Sequence, residues 1–395
     1  MSLSYKNIAN IINNQIMKNA TGDNSGTVIA EDLNNLVEVA KVINTSSVPD
    51  MRNALNNLVV GVHNYVMARM IETKEFKMLR DAVAYGGGIQ RIMASGLFTA
   101  KESHLLSLTS GVNYHDGQFY GLNASSALVE ETKTFKVVVS VADDFYSTWF
   151  TDAQKLSDWL NLVAVTEENT IRMEIAELEK RVIVKVVSEA MKNGRKVELL
   201  TMFNTMEGRT ETSGAPTLTN NVKWSLSEIK KYREEWAYFA SFCKEVMARL
   251  VDYIKAPNRK YNDGSTLTYA PSSKIGVCLL SQFASDIKYL ANPIEFNPVS
   301  IVDFETVATW QDLGVGMLPD YDTTAKITIS NSSENETYTN VVGVIYDIDG
   351  CGVTTVKNKT TYEDVGSEGF ANLHHHLANK YYTDPRLASV AIVLA

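Results

Sequence analysis

NVVGVIYDIDGCGVTTVKN, residues 340–358, and GFANLHHHLANKYYTDPRLASVAIVLA, residues 369–395, close the chain, and their reading decides the fold. Four runs in them carry strand composition: NVVGVIYD, GVTTVKN, the histidine segment and LASVAIVLA. DIDG and TDPR supply tight turns, so an antiparallel set is expected. Successive side chains of a strand point to opposite faces. His374 and His376 therefore share a side with Asn372 and Lys380, while His375 lies with Leu373 and Leu377. Three adjacent imidazoles cannot converge on one tetrahedral ion, and on a helix they would fan apart by about 100° each. The segment reads as a half-polar strand with His375 packed, and no metal is assigned to it. Asp347–Gly350 opens like a calcium loop, but the twelfth position is Asn358 where a bidentate glutamate is needed, so DIDG is read as a turn.

Working outward, SNSSENETYTN reads as a polar loop after the strand AKITI. Before it come a strand VSIVDF, a helix near 282–291 ended by Pro293, and a buried strand KIGVCLL. A long helix after Ser225 precedes these. Ser225 and Glu228 fit a capping box, and Trp236, Phe239, Cys243, Val246 and Leu250 line one side of that helix. Alternating strand and helix predict a subdomain over 215–320. VELLTMF, at 197–203, reads as a strand. The strongest helical signal runs from Asp152 to Asn193. Ile171, Ile175, Leu178, Val182 and Val186 form a stripe with steps of three and four, Asn193–Gly194 stops it, and Thr166 marks a candidate break.

Towards the N-terminus, TFKVVVSVADDF places Phe135, Val137, Val139 and Val141 on one face of a strand. With the turn-rich GVNYHDGQFYGLNASS before it, residues 108–145 predict a long two-stranded excursion. An isolated hairpin is marginal in water, so cover from another subunit is expected. Ile8, Ile11, Ile12 and Ile16, then Leu33, Leu36, Val37 and Ala40, then Leu55, Leu58, Val59 and Val62 recur at helical spacing and predict a helical arm.

The 395 residues are 45% hydrophobic and 21% charged, an ordinary globular composition that is long enough for two or three subdomains. Net charge is −9 with no sustained basic run, which disfavours sequence-specific nucleic-acid binding. The three cysteines, Cys243, Cys278 and Cys351, have neither zinc spacing nor an even count, so free thiols are expected. No secretory signal or apolar run of membrane-spanning length is present, and synthesis in a cytoplasm is expected. YGGGIQ, at 85–90, lacks the lysine of a phosphate loop, and SEIK, at 227–230, lacks the partners of a Ser-x-x-Lys nucleophile. His63, His104 and His115 have no local nucleophile to serve. No catalytic residue, cofactor or metal is assigned.

The order of parts, together with the texture GVIYDIDGCGVTTVKN…GFANLHHHLANKYYTDPRLASVAIVLA, resembles the major capsid proteins of tailed bacteriophages, the Hong Kong 97-type fold, nearest in flavour to short-tailed phages of the picovirus type. The resemblance spans nearly the whole chain and rests on no invariant motif. It implies an α+β chain with residues 1–84 as N-terminal arm and 85–150 as the extended loop and its approach. Residues 151–214 become a peripheral domain built on a spine helix, 215–320 an axial domain around the symmetry axes, and 321–395 the return to the peripheral domain.

The expected function is structural, with no enzyme activity: self-assembly into hexamers and pentamers of an icosahedral head around a double-stranded DNA genome. Assembly contacts are expected at Ile8, Ile12, Ile16, Phe119, Tyr120, Phe135, Val137, Val139 and Val141. Expected partners are further copies of the chain, with scaffold, portal and decoration proteins, and packaged DNA held without sequence preference; no membrane is involved. The expected location is the virion. Some relatives carry a cleaved scaffolding segment at the N-terminus; here scaffold is expected to be separate or absent. Lys133 and Lys136 lie where some relatives crosslink a lysine to an asparagine, but no motif assigns a bond. The alternatives are an encapsulin-like nanocompartment shell and, from another class, a soluble hydrolase or transferase with a scattered site. Deleting 110–140 is expected to leave soluble subunits that no longer form shells.

Overall fold

A computed structural model describes residues 59–60, 62–63, 76–82, 89–94, 110, 124–129, 131–142, 153–264, 267–290, 304–310, 325–331, 334–365 and 370–395. They form an α+β structure built on one long helix and two larger sheets. That helix, α1, spans Ala153–Lys192, 40 residues and about 60 Å at 1.5 Å per residue. The predicted stripe is its buried side, with Ile171, Ile175, Leu178, Val182 and Val186 at most 5% exposed. No break occurs at Thr166: Thr170 Oγ1 donates to the Thr166 carbonyl inside an unbroken helix. The end is a Schellman motif. Gly194, at φ +67°, donates to the Met191 carbonyl and Arg195 to that of Ala190, as the left-handed residue after a helix permits.

The first large sheet is assembled from β5 (Lys196–Glu198), β6 (Ile275–Leu280), β7 (Glu305–Val307), β10 (Val341–Asp347) and β13 (Ser389–Val393), in the order β5-β13-β10-β6-β7. Every residue of β6, β10 and β13 is buried, which explains why these strands read as continuous apolar runs and not as alternations. Backbones and side chains here are close enough to need glycine. A Cβ on Gly343 would lie 2.5 Å from Leu279 Cδ2 and 3.0 Å from the Cys278 carbonyl oxygen. Helix α1 packs on β13 and β10, and α5 (Ser281–Leu290) packs on β6 and β7. Helix α4 (Arg233–Lys255) packs on α5 and on α2 (Leu199–Met206). Cys243, Cys278 and Cys351 are free and buried, and burial pushes the first two thiols upward.

The second large sheet has the order β1-β11-β12-β4: β1 (Leu79–Ala82), β11 (Cys351–Val365), β12 (Phe370–Thr383) and β4 (Thr132–Ala142). Strands β11 and β12 pair antiparallel along almost their full lengths, and β12 pairs antiparallel with β4. Two small antiparallel pairs complete the strands among the described residues: β2 (Ile89–Ala94) with β3 (Ala124–Val129), and the hairpin of β8 (Ile327–Asn331) with β9 (Glu334–Tyr338).

Several expectations need correction. VELLTMF is only briefly extended and then turns into α2, because Leu199, Leu200 and Phe203 bury one helical face. The capping serine is present, with Ser225 accepting from Glu228 N, but it caps the short α3 (Leu226–Ile229), and α4 starts separately at Arg233. SNSSENETYTN, expected as loop, supplies β9. The C-terminal strands do not form one set: β10 and β13 belong to the first sheet, and β11 and β12 to the second. The 215–320 segment is not self-contained either, since β6 pairs with β10 from outside it. Of the predicted arm, Val59 and Val62 are helical and fully buried, and residues 1–58 lie outside the described residues.

Candidate functional site

Strand β4 occupies one edge of the second sheet. Its alternation is clear: Phe135, Val137 and Val139 are half-buried, and Thr134, Lys136, Val138 and Ser140 are exposed. Across the pairing to β12 the inner residues stand opposite Leu377, His375 and Leu373, all buried, on the face that meets α1. The outer face carries Val138 opposite His374 and Lys136 opposite His376, and Ser140 Oγ donates to Asn372 Oδ1 at 2.7 Å.

Strand β4 is also tied to α1 by charge. Lys133 lies 3.6 Å from Glu174 and 3.8 Å from Glu177, and Lys185 pairs with Glu131 just before the strand. These half-exposed pairs fix register and contribute little stability each, about 0–1 kcal/mol. Between β4 and the N-terminal half of α1 runs a groove of about 490 Å³, lined by Val138, Ser140, Leu162, Val163, Thr166 and Glu167 among others. Val138 and Leu162 are 44% and 65% exposed there, and Met173, further along α1, is 74% exposed.

Two sequence expectations change. Residues 124–129 and 132–142 are strands, but they do not pair with one another: β3 pairs with β2, and β4 with the histidine strand. The face of Phe135, Val137 and Val139 is half covered by the chain's own long helix, because the pairing with β12 turns it inward. The open surface on β4 is its other face. A deletion of 110–140 would therefore strip the partner of β12 as well as the approach to it. Val141 lies in β4, its side chain outside the described residues, and Ile8, Ile12, Ile16, Phe119 and Tyr120 fall outside them altogether.

The histidine strand has the predicted sidedness. His374 Nε2 donates to Glu363 Oε2 at 3.0 Å, and His376 Nε2 shares a hydrogen bond with Thr361 Oγ1 at 2.9 Å, both on the outer face. His375 is fully buried with Leu373 and Leu377, and burial, reinforced by the neighbouring imidazoles, pushes its pKa down to about 3. Sequence spacing gave no hint that His63 and Glu167 meet it there. DIDG is a turn in which Asp347 accepts from Asp349 N, with Lys274 paired to Asp349. Ser227 lies inside the short α3 and Lys230 is its C-cap, and residues 85–88 lie outside the described residues. Among the described residues no helix is long and apolar enough to cross a membrane.

No protein-family model and no curated protein matches the chain. Solved structures do. A chain in the capsid of Staphylococcus phage Andhra is 11% identical, with a TM-score of 0.41 over 80% of this chain and 83% of that one. One in the capsid of cyanophage P-SCSP1u is 9% identical, with a TM-score of 0.42 over 81% and 87%. One in the mature capsid of bacteriophage PhiM1 is 11% identical, with a TM-score of 0.35 over 81% and 87%.

Proposed function

We propose that the chain is a structural shell subunit, the major capsid protein of a tailed bacteriophage with a Hong Kong 97-type fold, and not an enzyme. The observation that carries this reading is the outer side of β4. An 11-residue strand, rich in valine and threonine, ends the second sheet with no strand paired to its outer edge among the described residues. Long edge strands are templates for pairing with another chain and are normally blunted, buried or used. Here the edge borders a groove in which Val138 and Leu162 are exposed, so a neighbouring copy gains both backbone hydrogen bonds and apolar burial by docking there.

In this reading α1 and the second sheet make the peripheral domain, and the axial domain is 215–320 completed by β5, β10 and β13. Residues 1–84 are the arm and 85–150 the extended loop with its approach. Hexamers and pentamers close an icosahedral head around double-stranded DNA, with scaffold, portal and decoration proteins as further partners. Synthesis takes place in the bacterial host cytoplasm. A net charge of −9 suits a wall that must not adhere to the genome it encloses.

The test is size-exclusion chromatography and negative-stain imaging of the purified chain. Closed particles of megadalton mass are expected, and a stable monomer or dimer of ordinary radius overturns the reading. Nucleic-acid absorbance inside native particles then separates a genome container from a protein-filled nanocompartment.

A further inference from the structure

His63, Glu167 and His375 come from the N-terminal segment, from α1 and from β12, and all three are at most 2% exposed. His63 Nδ1 contacts Glu167 Oε1, and His375 Nε2 lies 3.8 Å from the same oxygen. The two rings stack with centroids 3.8 Å apart and planes 16° from parallel. One donor atom from each of the three residues falls within 4.8 Å of the others. Among the described residues neither His375 Nε2 nor Glu167 Oε2 has a hydrogen-bond partner. Buried polar atoms of this kind are costly and rare, and two of them belong to this one cluster.

The other nitrogen of His375 accounts for its orientation. Thr360 Oγ1, directly across the β11–β12 pairing, is 3.2 Å from His375 Nδ1. When Nδ1–H donates to that hydroxyl, the Nε2 lone pair faces a carboxylate oxygen, an arrangement of two electron-rich atoms that a cation resolves. Second-sphere hydrogen bonds of this type fix the tautomer of metal-binding histidines.

We propose that His63 Nδ1, the Glu167 carboxylate and His375 Nε2 form a structural site for a zinc-class divalent cation, pinning the N-terminal segment and the C-terminal hairpin to α1. Two imidazoles and one carboxylate suit zinc and cobalt over magnesium or calcium, which prefer all-oxygen cages. The 3.8 Å between Nε2 and Oε1 is less than twice the ~2.0–2.2 Å length of a zinc bond to nitrogen or oxygen, so one ion reaches both. Each lone pair lies in its ring plane, so loading turns the rings out of their stack, a rotation that the broad χ2 preference of histidine allows. Of the three residues, Glu167 also lines the groove beside β4.

The test uses the full-length chain, stripped with a chelator, desalted, and titrated with Co²⁺ and then Zn²⁺. Expected are about one ion per chain, the visible absorption of cobalt in a low-coordinate nitrogen and oxygen site, its displacement by Zn²⁺, and a higher Tm with either ion. Glu167→Gln should reduce bound metal to background. Thr360→Val, which removes only the supporting hydroxyl, should weaken binding about 10–100-fold. The double variant His374→Ala, His376→Ala should bind as the parent does. The inference is overturned if the parent chain takes up no cobalt above background, or if the absorption follows His374 and His376 instead of Glu167. If Glu167→Gln does not fold, the parent titration and Thr360→Val decide. Particle formation is scored separately, so the shell reading and the metal site can fail independently.

Discussion

Strand β10 in the first sheet and strand β4 in the second carry similar valine-rich sequences with opposite fates. All seven residues of β10 are buried, flanked by β13 and β6 and covered by helices. Among the described residues strand β4 has one neighbour, a half-buried inner face and an open outer face. Apolar content alone therefore does not say where a strand ends up; the number of partners does. The first sheet satisfies its apolar demand within one chain, and the second leaves part of that demand for something else.

Core substitutions in the first sheet put this contrast under the greatest strain. Ile345 is fully buried in the centre of β10, paired with Val277 and Val390. Ile345→Ala should cost about 2–5 kcal/mol, read as a lowered midpoint in denaturant unfolding of dissociated subunits followed by circular dichroism. Leu377, on the inner face of β12, is 1% exposed, but its partner Phe135 is only half-buried. Leu377→Ala should fall near the low end of the same range, about 2 kcal/mol, because a half-open layer relaxes more easily than a closed core. Equal losses at both positions would break the contrast.

How much of this was legible depended on whether the signal was local. The helix expected from Asp152 to Asn193 forms over Ala153–Lys192 because its stripe, Ile171 to Val186, repeats over about four turns and its stop signal is a glycine at positive φ. The sidedness of the histidine strand followed from a period of two. Leu199, Leu200 and Phe203 misled because a short apolar run carries no reliable period, and the 334–338 strand misled because its residues are polar. The partner of β4 was not legible. It is β12, more than two hundred residues away, and nothing in TFKVVVSVADDF names it. The meeting of His63 with Glu167, 104 residues apart, was hidden for the same reason. Pairing decided which face of β4 turned inward, so the residues expected at a subunit contact, Phe135, Val137 and Val139, lie on its half-buried side.

The smallest expected effect on the subunit carries the most information about the outer face. Val138 is 44% exposed on β4, opposite His374, with no core position to lose. Val138→Asp should shift subunit stability by no more than about 0.5 kcal/mol, as surface substitutions do. If a neighbouring copy covers that face, the same change buries an unpaired carboxylate at the contact, and such burial is costly enough to block docking. Sedimentation velocity should then show folded subunits or small oligomers in place of closed particles, with an unchanged circular dichroism spectrum. Val138→Thr, which keeps the shape and exchanges one methyl for a hydroxyl, should assemble. Normal particles from Val138→Asp would mean that this face looks onto solvent in the shell, and the contact would have to be sought along the β4 edge or at Leu162 and Met173 on α1.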